Sequence, residues 1–389
     1  MNISNKRRLL TGSCIGILCV LLCMGFLGIR LVNSVFPMSL SSPKPAIAQP
    51  LGEGEALAFS YMRLDPLRPF ELYILDDANG LRSISQGLVR SDIGPVWSPD
   101  GERIVYESVS GGSSRYYLVE ADGGERREIS SDERHKGRLR WSPGGSRLAY
   151  LAYDQEPDGS FSNAPYLCVT EVTTGDTRQE QTGNIQDFVW TEGGQSLLAI
   201  ERGDDLVSIE MYAANGEHKR RVSVAETLRD AVYIAISPDA SKVAYLIPGA
   251  DEDNEPVTDW LYVSAIDRSA TKFIGTLWTE GSIVWSPDSS KIAFVALTDD
   301  YEYALYVADA NGAELRELMP INTGDESGEI LPPDPAWSSD SARIAIASLS
   351  GGEGSGVFVM NADGAGRRQV VAIPDIGGMI YNLAWKPGK

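Results

Sequence analysis

From Ala56 to the end of the chain, short apolar runs alternate with breaks rich in Gly, Pro, Asn and Asp. The runs are rich in β-branched and aromatic residues, which predicts strands rather than helices. One phrase recurs along them. Trp97-Ser98-Pro99-Asp100-Gly101 precedes the apolar run Ile104-Val105-Tyr106. Copies follow at Trp141, Trp190, Ile236, Trp285 and Trp337, and a half copy, Trp385-Lys386-Pro387-Gly388, ends the chain. The steps between these positions are 44, 49, 46, 49, 52 and 48 residues. A steady period of this size predicts a blade-type repeat, one four-stranded sheet per unit.

Each unit reads as four strands. The first ends in Trp, as in Ile283-Val284-Trp285, and the second resembles Ile292-Ala293-Phe294-Val295. The third is of the Leu305-Tyr306-Val307 type, and a turn such as Asp309-Ala310-Asn311-Gly312 leads to the fourth, near Leu315 to Leu318. In the first turn Pro presets φ, Asp bonds its own backbone and Gly takes positive φ. Asn-Gly and Asp-Gly at Asn79, Asn215, Asn311 and Asp363 are hairpin signals for the second turn. These Asp-rich turns are too short for a calcium loop. Trp97, Trp141, Trp190, Trp285, Trp337 and Trp385 sit at one fixed place per unit. This recurrence predicts a wedge between neighbouring sheets rather than a stacking platform. Ile236 in the same place is a substitution that a core accepts.

The chain ends on a first strand and its folded region begins with a second strand, Ala56-Leu57-Ala58-Phe59-Ser60-Tyr61. The two ends therefore complete one blade, giving an all-β, seven-bladed propeller of four-stranded blades over residues 55–389. Closure of this kind leaves no open sheet edge between the ends.

The WSPDG–IAY–LYV–DADG–RxLT pattern resembles the TolB-type β-propeller repeat. Similar repeats occur in the propellers of prolyl-oligopeptidase-like enzymes and in many bacterial surface proteins. The resemblance implies the fold; one fold hosts many activities. TolB carries an α/β domain ahead of its propeller, where its contact with the peptidoglycan-associated lipoprotein partly resides. Residues 32–54 stand in that place here.

Charge and composition narrow the partners. The net charge of −20, from 54 acidic and 34 basic residues, disfavours nucleic acid and anionic membrane surfaces as ligands of the ring. Of the four Cys, three lie near the N-terminus and only Cys168 falls in the repeats. That excludes an internal disulfide and predicts a small buried hydrophobe. At the N-terminus, Lys6-Arg7-Arg8 precede an apolar run from Leu9 to Ile29. Its length matches a bilayer-spanning helix and exceeds the core of a cleaved signal. The basic start predicts a cytoplasmic tail (1–8), a transmembrane anchor (9–31), a Ser- and Pro-rich linker (32–54) and an exported ring at the cell membrane.

Enzyme signatures are sparse. There are two His, His135 and His218, and no Gly-x-Ser-x-Gly elbow, so a serine-hydrolase triad finds no candidates. Propeller lyases of similar repeat use His clusters that this sequence lacks. The Gly-rich stretch 351–356 has no phosphate-loop Lys. No cofactor is expected. The leading expectation is a non-catalytic scaffold or receptor that binds a protein, a peptide or a cationic ligand, with a divalent ion as a further option. The alternative is a glycan-active enzyme or accessory subunit, which needs two carboxylates about 5–9 Å apart.

Alternating strands put both tight-turn sets on one face. The longer connections, 154–165, 248–259, 298–303 and 320–334, fall on the other, where binding usually resides. These connections are acidic. Asp92, Asp187, Asp230, Asp334 and Asp375 precede first strands, so they are expected to ring the channel mouth.

Overall fold

The computed structural model describes residues 44–388, apart from 64–69, 86–89, 111–112, 131–133, 157–158, 205, 225–227, 251–255, 268, 280–281, 299, 301, 324–331, 350–353 and 374–377. Seven antiparallel blades form the ring. Blade 1 is the composite: Gly378–Trp385 pairs with Ala56–Arg63, followed by Glu71–Asp76 and Gly80–Ser83. Blade 2 runs Ser91–Trp97, Arg103–Ser110, Ser113–Glu120 and Arg127–Glu128. Blade 3 is His135–Trp141, Arg147–Tyr153, Tyr166–Glu171 and Thr177–Gln181, and blade 4 is Asn184–Trp190, Ser196–Arg202, Val207–Ala213 and His218–Val224. Blade 5 (Tyr233–Ile236, Lys242–Ala250, Pro256–Ala265, Thr271–Thr279) continues by two pairs into blade 6. Blade 6 is Val284–Trp285, Lys291–Leu297, Tyr303–Asp309 and Leu315–Ile321; blade 7 is Ala336–Trp337, Arg343–Ser348, Ser355–Asn361 and Arg368–Ile373.

The apolar core is divided among the seams. Each of seven buried clusters draws its residues from two adjacent blades. Alternation makes one face of each blade serve the preceding seam and the other face the next. Cys168 is buried in the seam between blades 2 and 3.

The six repeat tryptophans are buried wedges, and they also carry a polar link. Each indole Nε1–H donates to the carbonyl just before the equivalent position of the preceding blade. Trp97 donates to Ala384 (3.0 Å), Trp141 to Val96 (3.2 Å) and Trp190 to Arg140 (3.3 Å). Trp285 donates to Ala235 (3.0 Å), Trp337 to Val284 (3.1 Å) and Trp385 to Ala336 (3.0 Å). A buried indole N–H needs such an acceptor. After every repeat Trp except Trp385 a hydroxyl closes the turn: Ser98 Oγ accepts from Arg103 N at 2.9 Å, and Ser286 Oγ from Lys291 N at 2.9 Å. The last turn residue takes positive φ: 68° at Gly101, but also 60° at Ser289 and at Ser341. Left-handed backbone costs a non-Gly residue about 1–2 kcal/mol. The two serines use their side chains across the seam, where Ser289 Oγ accepts from Asp239 N (3.1 Å) and Ser341 Oγ from Asp288 N (3.0 Å).

At the N-terminus one expectation lies out of view and another changes. The apolar run 9–29 and its flanks lie outside the described residues, and among the described residues no helix is long and apolar enough to cross a membrane. The linker read as a free tether to residue 54 is fastened to the ring over its final residues. Ala46–Ile47 adds a fifth strand to the outer edge of blade 7. Leu51 is fully buried in the seam between blades 1 and 7, and Asp77 Oδ1 accepts its N–H at 3.1 Å. The reason is chemical: an apolar side chain and two free backbone groups find partners at the edge strand.

Candidate functional site

Three residues before each repeat Trp, the inner strand changes character. Register slips occur there in blades 1, 2, 3 and 4. Gly94 (φ 62°), Arg138 (φ 51°) and Asn382 (φ 53°) occupy this place with left-handed backbone. Bulges of this kind re-aim a side chain. The same place holds Asp187 in blade 4, Ser282 ahead of blade 6 and Asp334 ahead of blade 7.

These positions converge on the axis. Asp187 is 1% exposed in its side chain, and Oδ1 accepts from Arg140 Nη2 (3.0 Å) and Arg138 Nη1 (3.3 Å). Its Oδ2 accepts the Ile236 backbone N–H at 2.8 Å. Burial alone pushes this carboxyl upward; Arg140, Arg138 and the Ile236 N–H outweigh it and hold it below the usual range. Both guanidiniums stay about two-fifths exposed, at 44% and 41%. Asp334 accepts from Ser282 N (3.2 Å) and feels the charge of Arg138. Arg138 belongs to blade 3 and Asp334 leads into blade 7, so that interaction spans the axis. Although Asp334 is exposed, the protein around it costs its carboxylate hydration and raises it, against the Ser282 bonds and Arg138.

The five predicted acids do not form one ring. Asp187 and Asp334 share the axial register. Asp92 is fully buried in the seam between blades 1 and 2. Its N–H donates to Phe70 O at 3.1 Å. It sits two residues earlier in its strand, where the alternation turns it into the seam. Asp230 is exposed on the approach to blade 5, near Arg202. Asp375 lies outside the described residues, as do the loop acids at 251–253, 255, 299, 325, 326 and 329. Lys136 is 2% exposed, and its Nζ donates to Ser114 O and Arg134 O, each at 2.9 Å. Among the described residues no group of three His, Cys, Asp or Glu is placed to hold a metal ion. The axial Arg138 and Arg140 escaped the sequence reading. Their signal was available as basic residues three and one before Trp141.

No protein-family model matches the chain. A curated relative, the uncharacterized peptidase YuxL of Bacillus subtilis (strain 168), is 28% identical over 128 residues, covering 31% of this chain and 17% of that protein. Among solved structures, Pyrococcus horikoshii acylaminoacyl peptidase aligns with a TM-score of 0.57 at 12% identity, over 85% of this chain and 52% of that one. Oligogalacturonate lyase from Vibrio parahaemolyticus aligns at 0.51 and 13% identity, over 82% and 86%. TolB from Acinetobacter baumannii aligns at 0.49 and 15% identity, over 84% and 82%. The likeness to the peptidase and lyase propellers, at such identities, is a likeness of fold. The neighbours include both enzymes and TolB.

Proposed function

We propose that this chain is a non-catalytic binding propeller whose axial mouth, on the long-loop face, receives a segment of a protein partner. One observation carries the reading: Asp187 is spent on the fold. Both of its oxygens are engaged and its side chain is 1% exposed. A glycosidase-type mechanism needs a second carboxylate free to reach the substrate. Asp187 cannot supply it beside Asp334. Two half-exposed guanidiniums facing one solvent-exposed acid instead make a mouth of mixed sign. Mixed charge suits a peptide segment better than the purely cationic ligand or divalent ion expected from composition. The apolar run 9–29 acts as an uncleaved membrane anchor in this reading, with the ring outside the cell membrane.

The test is a pull-down from solubilised membranes with the full chain. Arg138→Gln combined with Asp334→Asn is compared with Glu120→Gln combined with Glu125→Gln, which alters exposed acids near a tight turn. Loss of the captured protein in the first variant alone, with both variants folded, is expected. Equal capture by both variants rejects the axial site. Protease added to intact spheroplasts should release the ring; its protection overturns the membrane topology.

A further inference from the structure

One row of side chains crosses every blade at the same register and faces the preceding blade. In blade 2 the row is Tyr106, Tyr117 and Glu128, and in blade 6 it is Phe294, Tyr306 and Glu317. In blade 5 it is Tyr245, Tyr262 and Phe273. On the outer strand the other six blades end this row in a polar residue: Ser83, Glu128, Gln179, Arg221, Glu317 or Gln369. Phe273 departs from that rule and is 54% exposed, with its ring centroid 5.5 Å from that of Tyr262. Trp260 stands two residues before Tyr262, opposite Ile247, and alternation puts it on the same face. It is 42% exposed, whereas the six repeat tryptophans are at most 9%. Ile247 and Tyr262 pack on the buried cluster between blades 4 and 5. Both exposed rings therefore look towards blade 4, on a part of the seam that stays open to solvent.

The facing wall is basic. Met211 of blade 4 packs on the same cluster, and Arg220 lies opposite it on the outer strand. Arg220 is exposed and makes no ion pair among the described residues. It belongs to the run His218-Lys219-Arg220-Arg221, in a chain of net charge −20. Neighbouring exposed aromatics that the fold does not use mark a contact surface. Aromatic and Arg side chains also supply most of the energy of protein interfaces. The Tyr262 and Phe273 rings are tilted by 59°, which makes an apolar cleft rather than a flat platform for a sugar ring. The guanidinium calls for a carboxylate, while a second copy of so acidic a chain is repelled. We propose that the outer wall between blades 4 and 5 docks a segment of a protein partner, which sets an apolar side chain against Trp260 and Phe273 and a carboxylate against Arg220. This surface lies on the rim rather than the axis and is independent of the reading given to the axial mouth.

The full chain in detergent is panned with a displayed library of random dodecapeptides, and enriched peptides are synthesised and titrated by fluorescence anisotropy. Peptides that combine an aromatic or long aliphatic residue with Asp or Glu are expected. Phe273→Glu and Trp260→Ser install residues that other blades carry in the same register, Glu128 and Glu317 for the first and Ser208 for the second. Both variants should therefore melt with the parent. Each is expected to weaken binding about tenfold or more, the size of a lost aromatic anchor. Arg220→Gln is expected to weaken it a few-fold and to flatten its salt dependence. Enrichment of basic peptides overturns the site, as does the lack of any peptide whose binding depends on Phe273 or Trp260. A dimer in sedimentation that Phe273→Glu abolishes assigns the surface to a second copy and overturns the partner segment. Binding of alginate that Trp260→Ser abolishes assigns it to an anionic glycan, with the same consequence.

Discussion

At the seam between blades 6 and 7, Trp337 fills the wedge and its indole N–H reaches Val284 O at 3.1 Å. At the seam between blades 4 and 5, Ile236 fills the wedge and has no such donor. There the link is made from the opposite side, by Asp187 of blade 4 accepting the backbone N–H of Ile236 at 2.8 Å. The contrast shows which parts of the repeat are interchangeable. An apolar wedge plus one hydrogen bond across the seam is the requirement, and the indole meets both with one side chain. When the wedge is aliphatic, the bond must come from elsewhere, and a carboxylate supplies it. A buried carboxylate needs cations, so Arg138 and Arg140 are recruited from blade 3. One exchange of Trp for Ile therefore accompanies a charged axial mouth.

The largest effect is expected from removing the carboxylate. Asp187→Ala takes the acceptor from Ile236 N–H and leaves two guanidiniums without their shared partner. Breaking a fully buried pair costs about 3–5 kcal/mol, and the half-exposed arginines reduce this to about 2–3 kcal/mol. Urea unfolding reads the loss; a change below about 0.5 kcal/mol, within the range of an ordinary surface substitution, removes the proposed role. Trp337→Phe is expected to cost less, about 1–2 kcal/mol, from one hydrogen bond and some lost packing. If Trp337→Phe costs more than Asp187→Ala, the indole seams are the stronger ones and the comparison reverses.

The repeat, the number of blades and the composite closure were legible because they depend on local signals that recur. Trp97 and its equivalents mark one position, the Pro-Asp and Asn-Gly turns fix φ, and alternation fixes the faces. The indole bonds between blades were not legible, since five join residues about fifty apart and one joins residues 287 apart, a relation that appears only once the ring is closed. The acids show the same limit more clearly. Asp92 and Asp187 lie within inner strands and Asp334 just ahead of one, and they sit five, three and three residues before the repeat position. That small offset sends Asp92 into a seam and the other two to the axis. The docking of Leu51 was hidden because residues 32–54 read as polar and Pro-rich, and one buried Leu does not change that composition.

A rescue experiment sharpens the comparison further. Ile236→Trp alone brings a larger side chain into a seam already linked by Asp187, and overpacking of this kind costs about 1–3 kcal/mol. In the Asp187→Ala background the same indole gains a use, because Val189 O stands where the other five preceding blades and blade 7 offer their acceptors. The two changes should therefore be non-additive by about 1 kcal/mol, the double variant being more stable than the sum predicts. Strict additivity in denaturant titrations would mean that wedge and link are independent.

The smallest effect separates the seams by pH. Asp187 is held below its usual range, so its folded form binds fewer protons than the unfolded chain. The stability it supplies is present near neutrality and is lost only as acid approaches and passes its lowered pKa. The two sides of blade 3 behave differently, with Glu107 facing blade 3 from blade 2 and His135 packed on Tyr153 and Phe161 toward blade 4. Burial pushes Glu107 up to about 7, against the Ser114 hydroxyl and Lys136. Burial and Lys136 push His135 down to about 4. A raised Glu means the folded state holds the extra proton, so its stability falls as pH rises from about 4.5 to 7. A lowered His means the unfolded state holds it, so stability rises with pH from about 4 to 6.5. Within the shared window the two slopes oppose each other, each at most about 1.4 kcal/mol per pH unit for one proton. The intact protein should show a nearly flat profile there. His135→Asn removes one slope, and its stability should then decline between pH 5 and 6.5 relative to the parent. A variant profile parallel to that of the parent would show that the opposing slopes of His135 and Glu107 do not set the pH dependence.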